Sequence, residues 1–207
     1  MVAPAAKREA VAHRREEANL HRLAQPVATT DAHLDDPAWS PITQFYVSAT
    51  SVLNSWAVAV KDVTSVTNAR TVIAALIRSR AAGHTLPLLD TPTADRLTLV
   101  AMLNSLAYDY FARQKVRKNH LVSHIVEQLP VIPPAAYDRQ FGSLTARDIV
   151  RREVLALTYT ANVMAAFARD LGYDGLPFAW DEGARRQRRT RLDALYFHLY
   201  GIDAADV

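Results

Sequence analysis

Hydrophobic and polar positions along the chain divide it into three stretches with different periods. Residues 4–25 are charged or alanine at most positions, with Ala10, Leu20 and Leu23 as a thin apolar stripe, which predicts a lightly packed helix ended by Pro26. The connector "VATTDAHLDDPAWSP" follows. Short aromatic and β-branched segments come next, "QFYVSA" at 44–49 and "WAVAVKDV" at 56–63. In the second, Trp56, Val58 and Val60 alternate with Ala57, Ala59 and Lys61, predicting a strand with one preferred face. "RTVIAALI" at 70–77 is continuously apolar; its β-branched start and the nearby "HTLPLL" favour a strand over a helical turn.

From Thr93 the spacing becomes helical. Leu99, Leu103, Leu106 and Tyr110 define one face of a helix running to a stop at Asn119. "LVSHIVEQL" predicts a short helix before the "PVIPP" break. Thr145 and Asp148 form a capping-box pattern ahead of Val150, Val154, Leu157, Ala161, Met164, Ala168 and Leu171, a single stripe stopped by Gly172. A last helix covers Asp181 to Tyr200, with Leu192, Leu195 and Leu199 inward and Gly201 as its cap. The expected fold is α+β and mostly helical, a small sheet in the first half packed against a C-terminal helical bundle. Residues 1–36 are the charged helix and connector. Residues 37–207 form the main domain, strand-rich over 37–90 and helical over 91–207.

Half of the 207 residues are hydrophobic and 22% are charged, enough apolar material for a real core and little basis for global disorder. The absence of cysteine excludes disulfides, thiolate metal sites and cysteine nucleophiles. No apolar run approaches the ~18 residues of a membrane span, and the N-terminus lacks a secretory apolar core. A soluble cytoplasmic protein is the expectation. A net charge of +3 says little about partners, so local clustering has to carry that question.

Catalytic motifs are missing. There is no Gly-rich phosphate cradle, no Asn-Pro-Pro-Tyr motif and no nucleophile elbow. His120 and His124 have the i, i+4 spacing of zinc helices, but Leu121 stands where a metallopeptidase has its glutamate and no third ligand is evident. Two exposed histidines at a basic edge is the simpler reading. Asp35, Asp36, Glu127, Asp181 and Glu182 fit turn, cap or amphipathic-face roles.

Two basic clusters stand out. Arg113, Lys115, Arg117 and Lys118 crowd a helix C-terminus, where the macrodipole favours cations. Arg185, Arg186, Arg188, Arg189 and Arg191 fall in seven positions in the first half of a helix, where the dipole disfavours them. Mutual repulsion there points to an anionic partner, and guanidinium suits phosphate and guanine edges; the alternative is a solvated or intramolecularly paired face.

The stretches "AVAVKDVTSVTNARTVIAALI", "LVAMLNSLAYDYFARQKVRKNHLVSHIVEQLPVIPP" and "RLDALYFHLYGID" together resemble the C-terminal target-recognition region of adenine-specific DNA methyltransferases of restriction–modification and phage-defence systems. The matching positions are Lys61–Asp62, Asn68, Arg70–Thr71, Leu103–Asn104–Ser105 and Gln128–Leu129–Pro130, and the resemblance covers about 55–134 and 145–202. It implies sequence-specific binding of double-stranded DNA. It also implies a methyltransferase domain or subunit as partner, nuclease-fused in some members. S-adenosylmethionine would belong to that catalytic domain and no cofactor to this chain, which would be a fragment, a remnant or a separate specificity part. On this reading Lys61, Asn68 and Arg70 reach base edges, and Arg113, Lys115, Arg117, Lys118, Arg185, Arg186, Arg188 and Arg189 contact the backbone. Asn68 has a plainer alternative as a turn residue, Arg70 as a partner of Asp62, and Asn104 as a hydrogen bond to a neighbouring helix. Tyr108, Tyr110 and Phe111 are expected in the core. The competing function is a helical protein-interaction module without DNA binding.

Overall fold

A computed structural model of the chain describes residues 29–40, 56–78, 82–92, 95–117, 119–203 and 205. The expected helix over 4–25, the strand at 44–49 and Lys118 lie outside the described residues. The architecture is α+β and mostly helical, with a small antiparallel sheet in the first half and helices after it. Inside the expected connector a short helix, α1 (Asp31–Asp35), is capped reciprocally by Thr30 and His33.

Strands β1 (Trp56–Val60), β2 (Ala74–Arg78) and β3 (Leu88–Leu89) form a sheet in the order β2-β1-β3. Val58 is opposite Leu76 on one side and Leu89 on the other. All five residues of β1 are buried, alanines included, which corrects the expected single preferred face. A central strand paired on both edges and covered on both faces alternates large and small apolar residues rather than apolar and polar ones.

The apolar run at 70–77 becomes strand only at Ala74. Before that, the N–H groups of Thr71 and Val72 are held by the Asp109 carboxylate at 2.6 and 2.9 Å instead of by a neighbouring strand.

The expected helix from Thr93 to Asn119 is two helices, α2 (Arg96–Leu103) and α3 (Leu106–Lys115). The break falls at Asn104–Ser105. Asn104 turns its side chain back onto the Val100 carbonyl, and Ser105, in an extended conformation, accepts the Tyr108 N–H as the cap of α3. The break shifts the phase of the stripe. Ala107, Tyr108 and Ala112 face the core, whereas Leu106 is 41% and Tyr110 62% exposed. Of the three aromatics expected inside, Tyr108 is buried and Phe111 half-buried.

Helix α4 (Ser123–Val126) follows, then a single 3-10 turn at Pro134–Asp138 and a small hairpin, β4 (Gln140–Phe141) and β5 (Leu144–Thr145), turned by Gly142 at φ 65°. Helix α5 (Ala146–Thr158) begins with the expected capping box: Thr145 and Asp148 bond reciprocally. The stripe expected to continue to Leu171 is interrupted at Thr158-Tyr159-Thr160, all weak helix formers. Here the backbone bonds elsewhere, Tyr159 O to Phe178 N–H and Asn162 N–H to Pro37 O. The chain resumes as α6 (Ala165–Asp170), closed by Gly172 at φ 75°. The longest described helix, α7 (Glu182–Tyr200), has Asp181 as N-cap and left-handed Gly201 as C-cap, as its sequence predicts.

One core runs through the sheet and the helices, from Val58 and Val72 to Met102, Val150, Leu192 and Tyr196. Trp56 meets Phe167 edge-on and donates its Nε1 to Asp170 at 3.1 Å, fixing α6 against β1. Tyr196, fully buried, donates to the Thr98 carbonyl at 2.8 Å and joins α7 to α2. No described helix is long and apolar enough to cross a membrane.

Candidate functional site

The loop between β1 and β2 is fixed by side chains from two helices, α3 and α7. Arg113 on α3 donates Nε to Asp109 at 2.6 Å, Nη1 to the Val66 carbonyl at 2.5 Å, and Nη2 to the Asn68 and Ala69 carbonyls at 2.7 and 3.1 Å. Asp109, 2% exposed, has its charge balanced by that guanidinium and accepts the two loop N–H groups with its other oxygen. Arg70 meets Asp193 of α7 at 2.9 Å, and the second oxygen of Asp193 accepts the Leu106 N–H at 2.7 Å. Burial raises the Asp193 carboxyl above its usual range; the Leu106 N–H and Arg70 act in the opposite sense. The internal partner of Arg70 is therefore Asp193, not Asp62, whose carboxylate lies 3.1 Å from His120 Nδ1. Asn68 bonds Thr64 within the loop at 3.4 Å.

The arginines of α7 divide between two sides. Arg188 and Arg191 turn to Glu153 on α5 at 2.8 and 3.5 Å, and Arg152 reaches the same carboxylate at 3.0 Å. Glu153 is wholly buried, and three guanidinium groups compensate its desolvation. Arg189 pairs with Glu182 at 2.5 Å, both of them exposed. Arg185 lies 3.6 Å over the Trp180 ring and donates to the Leu157 carbonyl at 2.8 Å. Its burial, and then the neighbouring Arg189, pull its guanidinium below the usual arginine range. The repulsion expected within this cluster is thus offset by internal carboxylates for three of its five arginines, Arg188, Arg189 and Arg191. Arg186 alone among them has an exposed side chain with no partner among the described residues.

Between β2 and α7 opens a cleft of about 880 Å³. Asn68, Arg70, Arg185, Arg186 and Arg189 all line it, brought together from positions more than 110 residues apart. Ile73, Leu157 and Met164 are among its apolar lining residues, and Trp180 lines it as well. Lys115 and Arg117 lie elsewhere, in a second hollow of about 850 Å³ with Gln114, His120, His124 and Gln128. Neither cation has a partner among the described residues, nor has the exposed Lys61 at the end of β1. Arg188 faces Glu153 and Arg113 faces the loop, so neither lines the cleft. The histidine pair shares the second hollow, and no group of three potential metal ligands occurs among the described residues. Asp36 and Asp181 accept backbone N–H groups, the turn and cap roles expected of them.

Sequence reasoning did not single out Asp109, Glu153, Asp193 or Trp180. The Asp109–Arg113 spacing of four was the available signal for one of them. Glu153 sits beside Val154 on the apolar stripe of α5, an acidic residue where the period wants a hydrophobic one. Asp193 acquires its role only through residues distant in sequence, Arg70 and Leu106, and Trp180 through Arg185 five positions on. A comparison of the chain with protein-family models, with curated proteins and with solved structures finds no match.

Proposed function

We propose that this chain is the DNA-binding specificity part of a site-specific adenine DNA methyltransferase of a restriction–modification or defence system, acting in the cytoplasm. The catalytic domain and its S-adenosylmethionine would lie outside the chain. The observation that carries this reading is the convergence of Asn68, Arg70, Arg185, Arg186 and Arg189 on one cleft. Arg70 and Arg113 then hold the recognition loop, and Asn68, whose Nδ2 bonds Thr64 at 3.4 Å, would offer its amide oxygen and second N–H to an adenine. The unpaired cations Lys61, Lys115, Arg117 and Arg186 would take phosphates. About four such contacts imply that duplex affinity falls on the order of 10²-fold between ~50 and ~200 mM salt. A gel-shift series with duplex DNA tests this; no shift at the lowest salt would refute it.

The internal pairing of Arg188, Arg189 and Arg191 favours a second reading, a helical protein-interaction module without DNA binding. In that case the apolar lining of the cleft receives a partner, and nucleic acid of any kind leaves the chain unshifted in the same assay.

A further inference from the structure

We infer that the cleft between β2 and α7 binds a single unstacked nucleotide, its base on the apolar lining and its phosphate at the arginine mouth. The inference deepens the DNA-binding reading and rests on it for the source of the ligand. At about 880 Å³ the cleft has the size of a small-molecule site, ~300–1,000 Å³. Part of its lining is apolar, with Ile73, Leu157 and Met164 among it, and such a surface suits a flat heteroaromatic body. Its charge is one-sided: four arginines line it against a single carboxylate, Asp193, which Arg70 already occupies.

Arg185 is the ordered cation of the mouth. Stacking on Trp180 and the bond to Leu157 O fix its plane, it has no carboxylate bond, and its buried Nε has no acceptor. Arg186 is unpaired, and Arg189 can exchange its exposed bond to Glu182 for a phosphate oxygen. An apolar lining with a cationic mouth selects ligands that are planar at one end and anionic at the other. A bare anion would leave that lining uncovered and a neutral nucleoside would leave the mouth unpaired.

The test is a titration of the full chain with dAMP, deoxyadenosine and inorganic phosphate, following tryptophan fluorescence, with Trp180→Phe to identify the reporting residue. Saturable change with dAMP that Trp180→Phe abolishes is expected, with deoxyadenosine and phosphate each weaker by about tenfold or more. Arg186→Gln, at a position with no internal partner, is expected to weaken dAMP by about tenfold. Equal binding of phosphate and dAMP, equal binding of nucleoside and nucleotide, or no saturable change would each overturn the inference. Gel shifts of the same proteins keep the two proposals apart. Duplex binding without dAMP binding removes only the nucleotide site, and dAMP binding without duplex binding removes the recognition role.

Discussion

Asn104 pairs with Ala74 as the next residue of a sheet would. Its Nδ2 donates to the Ala74 carbonyl at 2.8 Å, and its Oδ1 accepts the Ala74 N–H at 3.2 Å. The side chain thereby satisfies the first residue of β2 and breaks the helix that carries it. Asn104→Ala leaves both Ala74 groups without that partner and is expected to cost about 1–3 kcal/mol. Urea unfolding, read as a lower midpoint at unchanged m, checks it.

Glu153 is the most consequential buried charge. Glu153→Ala removes the shared partner of Arg152, Arg188 and Arg191, and a loss of about 2–4 kcal/mol is expected, below the upper range because those arginines can rotate into water. Arg186→Ala, at an unpaired exposed position, should stay within about 0.5 kcal/mol of the parent. Equal stability of the two variants in guanidinium would contradict the role assigned to Glu153.

Alkaline stability should be governed by buried phenols. Burial pushes Tyr108 and Tyr137 up to about 12, above the ordinary value near 10. A folded-state value above the unfolded one contributes stability that is whole below about pH 10 and is lost as pH rises toward about 12. Each phenol accounts for up to about 3 kcal/mol of that loss. Tyr137→Phe should flatten part of the decline in unfolding free energy between about pH 10 and pH 12.

The acid limb carries the opposite sign. Hydrogen bonds from Thr145 hold the Asp148 carboxyl below its usual range. Its contribution is present above about pH 4 and disappears as pH falls through the depressed folded-state value. In Asp148→Asn the melting temperature should depend less on pH across that interval, as circular dichroism would record.

Basic residues close in sequence should separate by assay. Lys115→Ala with Arg117→Ala is expected to leave the melting temperature nearly unchanged while reducing the salt slope of duplex binding by about two. Arg113→Lys should do the reverse, because a single ammonium cannot reach Asp109 and three carbonyls together. A melting temperature unmoved by Arg113→Lys would contradict the clamp.

Local chemistry was legible in the sequence where it acts alone. The Thr145–Asp148 box, the Asp181 cap and the Gly201 stop depend on residues within a few positions, and all three occur. The strand at Trp56–Val60 was visible too, but its burial on both faces depends on neighbours that a period of two does not encode. The stripe of Leu99, Leu103, Leu106 and Tyr110 passes Asn104 and Ser105 without a gap, so the back-bond to Val100, the Ser105 cap and the contact with Ala74 together reveal why the helix stops there. The cleft was the least legible feature. Its residues are singled out in the sequence as a loop pair, Asn68 and Arg70, and one arginine cluster, yet Asp193 and Glu153 decide which guanidinium groups face it.

The Arg113 clamp touches Val66, Asn68 and Ala69 solely through their carbonyl oxygens. Any amino acid supplies that oxygen, so this grip is indifferent to what the loop displays. The side chains at those three positions can be exchanged while the arginine goes on holding the same curve of backbone. Such a mount would let a lineage acquire new preferences by drift at the tip, with the supporting framework left untouched.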